Sequence, residues 1–225
     1  MLFDLSKIAP MRRYELLLGT VVPRPIALVT SLSRDGLVNA APYSLFNVMS
    51  HDPPIVAFSV LPSPLGQMKD TGQNILTGGD FVVNLVSEAL AEAMNLTCID
   101  APADVSETDL AGLATIPSTA VAPPRLQASP VALECRFVTS LTFGPNQTVI
   151  FGRVIHVHVP DELVLDAENC IVDTPKLRLI GAMHAAKYYS RPGDMLEMIR
   201  PTWANWSKSP EGLRGPNGGG RPTKV

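Results

Sequence analysis

The amino-acid sequence predicts a mainly β protein, an antiparallel barrel with a few short peripheral helices. Two observations carry the prediction. Apolar runs at residues 26–31, 55–60, 131–143 and 148–159 are separated by turn-forming residues, which is the pattern of strands joined by hairpins. Helical periodicity is modest, and the strand–helix–strand alternation that builds a parallel sheet is missing.

Taken in order, residues 26–31 (IALVTS) form the opening strand, Ser33-Arg34-Asp35-Gly36 has the composition of a hairpin turn, and residues 37–42 return from it. Pro53 and Pro54 impose an extended start on residues 55–60 (IVAFSV), a run apolar enough to be covered on both faces. Residues 64–78 carry Met68, Ile75 and Leu76 with polar residues between them, and Lys69-Asp70-Thr71 stands at the start of the predicted helix. Residues 87–95 (SEALAEAMN) predict a second helix with Ser87 as its N-cap.

Residues 100–124 are rich in Pro, Ala, Ser and Thr, so they are expected to run over the surface as an insertion covering the site, with a helical candidate at 107–114. The strand at 131–143 turns at Gly144-Pro145-Asn146-Gln147 into the strand at 148–159. By strict alternation Val149, Phe151, Ile155, Val157 and Val159 share one face and Val154, His156 and His158 the other. Two histidines without an acidic or cysteine cluster make a solvated strand face rather than a metal site, so no metal is expected.

At 225 residues the chain is long enough for one domain. The expected division is a domain at 1–206 and a mobile tail at 207–225, whose GPNGGGRP stretch has too few apolar groups to offset ordering entropy. The net charge is −3 with scattered basic residues, which argues against nucleic-acid binding. No apolar run is long enough to span a bilayer, and residues 1–17 lack the apolar core and cleavage site of a signal peptide, so a cytoplasmic location is expected. The three cysteines, Cys98, Cys135 and Cys170, are widely spaced and form no C-x-x-C unit; they read as buried, reduced thiols. The glycine cluster lies in the tail rather than between a strand and a helix, so no separate dinucleotide-binding domain is expected.

The segments RPIALVTS, DG, NAAPYSLFN, DPPIVAFSV, KDTGQNI and GDFVVNLV, in that order, resemble the flavin reductase-like family of FMN-binding split barrels. That group includes flavoredoxin and the reductase components of two-component monooxygenases. RVIHVHV, LRLIGAMHAAKYYSR and MLEMIRPTW extend the resemblance over residues 10–206. It implies a split β-barrel, FMN as cofactor and a homodimer with the flavin near the interface. It further implies the transfer of a hydride from NADH or NADPH to flavin, with a monooxygenase or redox protein as acceptor. An electron carrier similar to flavoredoxin, with no NAD(P)H turnover, is the alternative, and an FMN-binding module without a redox partner is a third. The pyridoxamine-phosphate oxidase relatives need a second phosphate site built of arginines, and the sequence shows no such cluster.

Residue by residue, the resemblance places the flavin phosphate at Lys69 and Thr71, where an ammonium, a hydroxyl and the free amides of a helix start favour an anion. Ser59 and Asn74 are further donors. Without the resemblance, Lys69 and Asp70 would be a solvated pair and Thr71 an ordinary helix-start residue. Residues 41–47 lie along the isoalloxazine, with Ser44 and Asn47 as side-chain donors and Thr30 and Ser31 approaching from the opening strand. Phe46 and Tyr43 either touch the ring or pack in the core, and Asn39 equally suits a strand edge. Arg24, between two prolines, serves the phosphate or pairs with a carboxylate. His184 donates to a flavin oxygen or orients the nicotinamide, or is simply structural; no other catalytic residue is expected, because the flavin carries the chemistry.

Overall fold

The computed structural model describes residues 1–63, 66–144, 147–184, 188–193, 195–198, 202 and 223–224. Apart from Thr223 and Lys224, the tail expected at 207–225 lies outside the described residues. The chain divides into two compact units, Met1–Arg191 and Pro192–Val225.

The first unit opens with helix α1 (Pro10–Thr20), whose Pro10 occupies the first helical position, where its missing N–H costs nothing. Strands β1 (Arg24–Pro25), β2 (Ala27–Leu32), β3 (Val38–Tyr43), β4 (Phe46–His51) and β5 (Pro54–Val60) follow, then helix α2 (Asp70–Gly78) and β6 (Asp80–Leu85). Helices α3 (Ala91–Leu96) and α4 (Glu107–Leu110) and the short hairpin of β7 (Thr115–Ile116) and β8 (Arg125–Leu126) precede the long strands β9 (Ala132–Phe143) and β10 (Gln147–His158). A small ladder of β11 (Val164–Asp166) and β12 (Ile171–Val172) comes next, and β13 (Gly181–Met183) pairs with both β1 and β14 (Tyr188–Ser190). The second unit contains β15 (Leu196–Glu197) paired with β16 (Thr223–Lys224).

Seven strands form one antiparallel sheet in the order β3-β2-β6-β9-β10-β5-β4. Its edge strands, β3 and β4, are consecutive in the chain and joined only by Ser44 and Leu45. A two-residue link cannot cross a flat seven-stranded sheet with strands about 4.8 Å apart, so the sheet rolls until its edges meet. A single apolar cluster confirms the closure, because it draws on all seven strands: Val29, Tyr43, Phe46, Phe58, Phe81, Cys135 and Ile150 are among its members, with Ile75 of α2 inserted beside them. Phe58 links the aromatic packing, 4.9 Å from Tyr43 and 5.5 Å from Phe81 between ring centroids. The predicted mainly β barrel with short helices is therefore the fold. Outside the barrel, Leu28 and Ala40 pack beneath Leu90, Met94 and Leu126 in a second cluster.

The hairpin between β2 and β3 turns where expected, with Gly36 in the left-handed region (φ 81°) and Ser33 Oγ accepting the Leu37 amide at 3.0 Å. Helix α2 begins later than predicted. Gly66 is left-handed (φ 76°) and the Ser63 amide donates to the Gln67 carbonyl at 2.8 Å, which closes a loop rather than a first helical turn. Ser87 does not cap the next helix: it bridges to Leu179, and a 3₁₀ turn, Glu88–Leu90, leads into α3. Helix α4 is one turn long because Gly112, in the left-handed region at φ 61°, ends it.

Strict alternation misplaces the faces of β10. Ile150 and Val154, not Val149 and Phe151, face the barrel core, so the inward face is the opposite of the one its apolar residues suggest. A register shift between Val154 and His156 then puts the two histidines on the face of Glu134, where His156 is exposed, as the solvated reading expects, and His158 is half-buried. His158 Nε2 lies 2.6 Å and His156 Nδ1 3.4 Å from the carboxylate of Glu134, which is 0% exposed. The same carboxylate accepts the Thr119 and Ala120 amides at 2.6 and 2.7 Å and so fastens the insertion to the barrel. Burial pushes this carboxyl up, but the two amides and His158 outweigh it and bring it from 4.5 to about 2. Among the described residues no helix is long and apolar enough to cross a membrane.

Candidate functional site

A cavity of about 690 Å³ opens where the barrel's two edges meet the N-terminus of α2, within the usual size of a cofactor site. One wall is the end of β3 and the link to β4: Pro42, Tyr43, Ser44 and Leu45. Lys69, Asp70 and Thr71 at the start of α2 form a second wall, and Cys98, Asp100 and Glu107 at the head of the insertion form a third. The insertion expected to cover the site thus contributes part of its wall.

The polar wall is cross-linked. Thr71 Oγ1 donates to Asn39 Oδ1 at 2.6 Å, Ser31 Oγ reaches the same oxygen at 3.2 Å, and Asn74 Nδ2 donates to Ser31 Oγ at 3.1 Å. Asn39 Nδ2 and the Ala40 amide both donate to Glu107 Oε2, at 2.9 and 3.1 Å. The Tyr43 hydroxyl, buried beside Thr71, has no well-formed hydrogen bond, and burial raises its pKa far above that of an ordinary phenol. Among the described residues Lys69 is the one cation lining this cavity, and its Nζ lies 2.9 Å from Asp100 Oδ1. Cys135 is buried, but Cys98 and Cys170 are exposed, against the buried reading of all three; partial burial still raises the pKa of the Cys98 thiol, against the charge of Lys69. A second cavity of about 780 Å³ lies between the β2–β3 turn, α2 and residues 103–107; it shares Asn39, Asp70, Ala103 and Glu107 with the first.

Of the residues singled out from sequence, Ser44, Ser59, Lys69 and Thr71 line the first cavity and Asn74 the second. Ser59 Oγ also accepts from Gln147 Nε2 at 3.2 Å. Arg24, Thr30, Ser31, Phe46, Asn47 and His184 line neither. Arg24 is buried as a clamp on backbone carbonyls, donating to those of Leu18, Val21 and His184, with Nε 3.5 Å from Ser44 Oγ; among the described residues it takes no carboxylate. Thr30 sits on the outer face of β2 and donates to the Pro124 carbonyl at 2.6 Å, while Ser31 is held inside the network just described. Phe46 packs in the barrel core. Asn47 is exposed, its Oδ1 accepting the Val48 amide at 2.8 Å. The His184 ring is exposed and packs edge-on to Tyr188, at 5.9 Å between centroids, with its backbone in the left-handed region (φ 51°).

Sequence reasoning missed Glu107 and Asp100 and left Asn39 as a strand-edge residue. The one available signal was a carboxylate directly after Ser106, a helix-start pattern placed in an otherwise featureless insertion.

Residues 18–171 match the model of the flavin reductase like domain. The chain is 35% identical to the 2-nitrobenzoate 2-nitroreductase NbaA of Pseudomonas fluorescens, whose structure superposes with a TM-score of 0.81 over 90% of this chain and 98% of that one. It is 30% identical to nitrilotriacetate monooxygenase component B from Bacillus cereus, with a TM-score of 0.82 over 88% of this chain and 98% of that one. A structure with a split barrel domain from Shewanella frigidimarina shares the fold at 18% identity, with a TM-score of 0.77 over 90% of this chain and all of the other.

Proposed function

The chain belongs to the flavin reductase-like family, and from that premise we propose that it is an FMN-dependent oxidoreductase that accepts a hydride from NADH or NADPH. The observation carrying the proposal is the composition of the 690 Å³ cavity, whose lining combines Lys69 and Thr71 at the start of α2 with apolar residues of the β3–β4 link and with Tyr43, whose buried hydroxyl has no hydrogen-bond partner.

The fit to FMN is favourable at three points. Lys69 and Thr71 stand at the start of α2, whose first amides have no intrahelical acceptor and whose dipole favours an anion. Pro42, Leu45 and Leu61 give the flat apolar lining that an aromatic ring needs. Tyr43 Oη is a polar group left for a ligand to satisfy. A phosphate at Lys69 must take the place of Asp100 on the ammonium, so binding is coupled to release of the Lys69–Asp100 pair. When bound, FMN supplies the hydride-accepting ring. The chain's part is to hold the phosphate, present the ring edge to the Ser44 segment and restrict water with the insertion wall.

We place no general base, because hydride transfer requires none. The likeness to a monooxygenase component supports a partner protein as acceptor, and the likeness to a nitroreductase supports a small nitroaromatic instead. A homodimer is part of the proposal: on edge strand β4, Val48 and Met49 are 63% and 55% exposed, the kind of apolar surface a second copy covers. The deciding experiment is anaerobic stopped-flow absorbance near 450 nm on FMN-loaded protein mixed with NADH or NADPH. Fast bleaching by one of them is expected and names the donor. A flavin that only dithionite reduces would replace this reading with that of an electron carrier.

A further inference from the structure

The wall shared by the two cavities holds a carboxylate that the fold uses only by half. Glu107 is 6% exposed. Its Oε2 takes both available donors, Asn39 Nδ2 at 2.9 Å and the Ala40 amide at 3.1 Å. Among the described residues nothing donates to Oε1, and no cation pairs with the group. Oε1 therefore keeps its full capacity to accept a hydrogen bond from a donor outside the chain.

The cavity itself indicates what is missing. Glu107 lines both cavities, so its side chain stands at a ligand surface rather than in the packed core. Tyr43, which also lines the first cavity, has a buried hydroxyl without a hydrogen-bond partner. A carboxylate only accepts hydrogen bonds, and it repels a phosphate or a ring carbonyl. What suits it is a neutral donor, which FMN offers in its polyol hydroxyls and at the ring N3–H; the polyol chain is the part that lies next to the phosphate. Glu107 is coupled to Thr71 through Asn39, so it stands one side chain away from the anion-favouring start of α2.

We propose that Glu107 is a ligand-reading residue whose Oε1 accepts a hydrogen bond from a hydroxyl of the polyol chain of bound FMN. The inference rests on the flavin reading above. Glu107 thereby fixes the stretch between ring and phosphate, and its charge keeps a misplaced phosphate out of that stretch. The role is one of binding and orientation, and it transfers no proton.

The test compares three flavins that differ only beyond the ring: lumiflavin, which has no polyol chain, riboflavin, which has the chain, and FMN, which adds the phosphate. Binding is followed by flavin fluorescence on the full-length protein and on Glu107→Gln. Glutamine keeps an oxygen for Asn39 and Ala40 and turns an NH₂ group, a donor, toward the cavity. The expected result is a five- to tenfold weakening, on the order of one charge-assisted hydrogen bond, for riboflavin and FMN alike, with lumiflavin unchanged. Equal weakening of all three, or of none, would overturn the assignment while leaving the flavin reading standing. Wild-type protein that binds no flavin would remove both. If Glu107→Gln does not fold, the wild type decides alone: riboflavin should bind about tenfold more tightly than lumiflavin, and equal affinities would overturn the proposal.

Discussion

Among the described residues two glutamates are buried, and they are treated in opposite ways. Glu134, on the outside of the barrel, is 0% exposed and fully engaged: two backbone amides of the insertion and two histidines surround its carboxylate. Glu107, at the cavity, is 6% exposed and engages only one of its oxygens. Complete satisfaction is what a structural carboxylate needs, since every unmet lone pair costs stability. Incomplete satisfaction beside a cavity leaves binding capacity for something else. Burial alone does not separate the two; the hydrogen-bond inventory does.

The largest effect that would sharpen this contrast is expected from Glu134→Ala. Removing the acceptor strands two part-buried amides and the two histidines, and urea denaturation should show a loss of about 3 kcal/mol, in the range for breaking a buried charged network. Glu107→Gln should cost less than about 1 kcal/mol in the same assay, since its one structural oxygen is conserved. Similar losses for both would erase the distinction.

Acid titration offers a second way to break it. Glu134's folded pKa is depressed, from 4.5 to about 2. Its contribution is therefore fully present above the unfolded value near 4.5 and is lost as pH falls through the folded value near 2. The stability of the wild type should decline across that window more steeply than that of Glu134→Gln. Parallel curves would show that this clasp does not govern the acid limb.

Lys69→Ala should weaken FMN binding by about 1–3 kcal/mol, the scale of a charge-assisted contact, with little effect on folding because its Asp100 pair is partly solvent-exposed. Unchanged affinity would move the phosphate elsewhere. The smallest effect belongs to Tyr43→Phe. Deleting a hydroxyl with no partner should leave stability within about 1 kcal/mol and lower FMN affinity severalfold; an unaltered affinity would mean that the ligand does not reach Oη.

How far the sequence carried these conclusions differs between the fold and the site. The strands and the Gly36 turn follow from local chemistry, since alternation and turn residues act within a few residues, whereas the helix expected from residue 64 starts only at Asp70. Phe46 takes the second of its two readings and Asn47 stands away from the cavity because the chain crosses the barrel seam after Leu45, so Phe46 enters the core and Asn47 faces solvent. The register shifts in β10 likewise broke the alternation that placed His156 and His158. Glu107 was illegible for a different reason: its partner Asn39 is 68 residues away in sequence, and nothing local to an insertion rich in Pro and Ala marks a long-range contact. Arg24 was read as a ligand group because a fixed cation between prolines suggests one, whereas its guanidinium is spent on three carbonyls of its own chain.

The two-residue link between β3 and β4 has a mechanical corollary. The Ser59 amide donates to the Leu45 carbonyl at 2.9 Å, extending the ladder of β5 and β4 into this link, and the same short link forms part of the cavity wall. A molecule seated against both Tyr43, at the end of β3, and Ser59, on the strand beside β4, would span the seam and work as a clasp on a hoop, resisting any motion that springs the cylinder open. Occupancy and closure are then two readings of one equilibrium: at a ligand concentration a hundred times Kd the barrel should gain about 2.7 kcal/mol against unrolling. A rise in melting temperature that tracks ligand concentration would measure how firmly the seam is held.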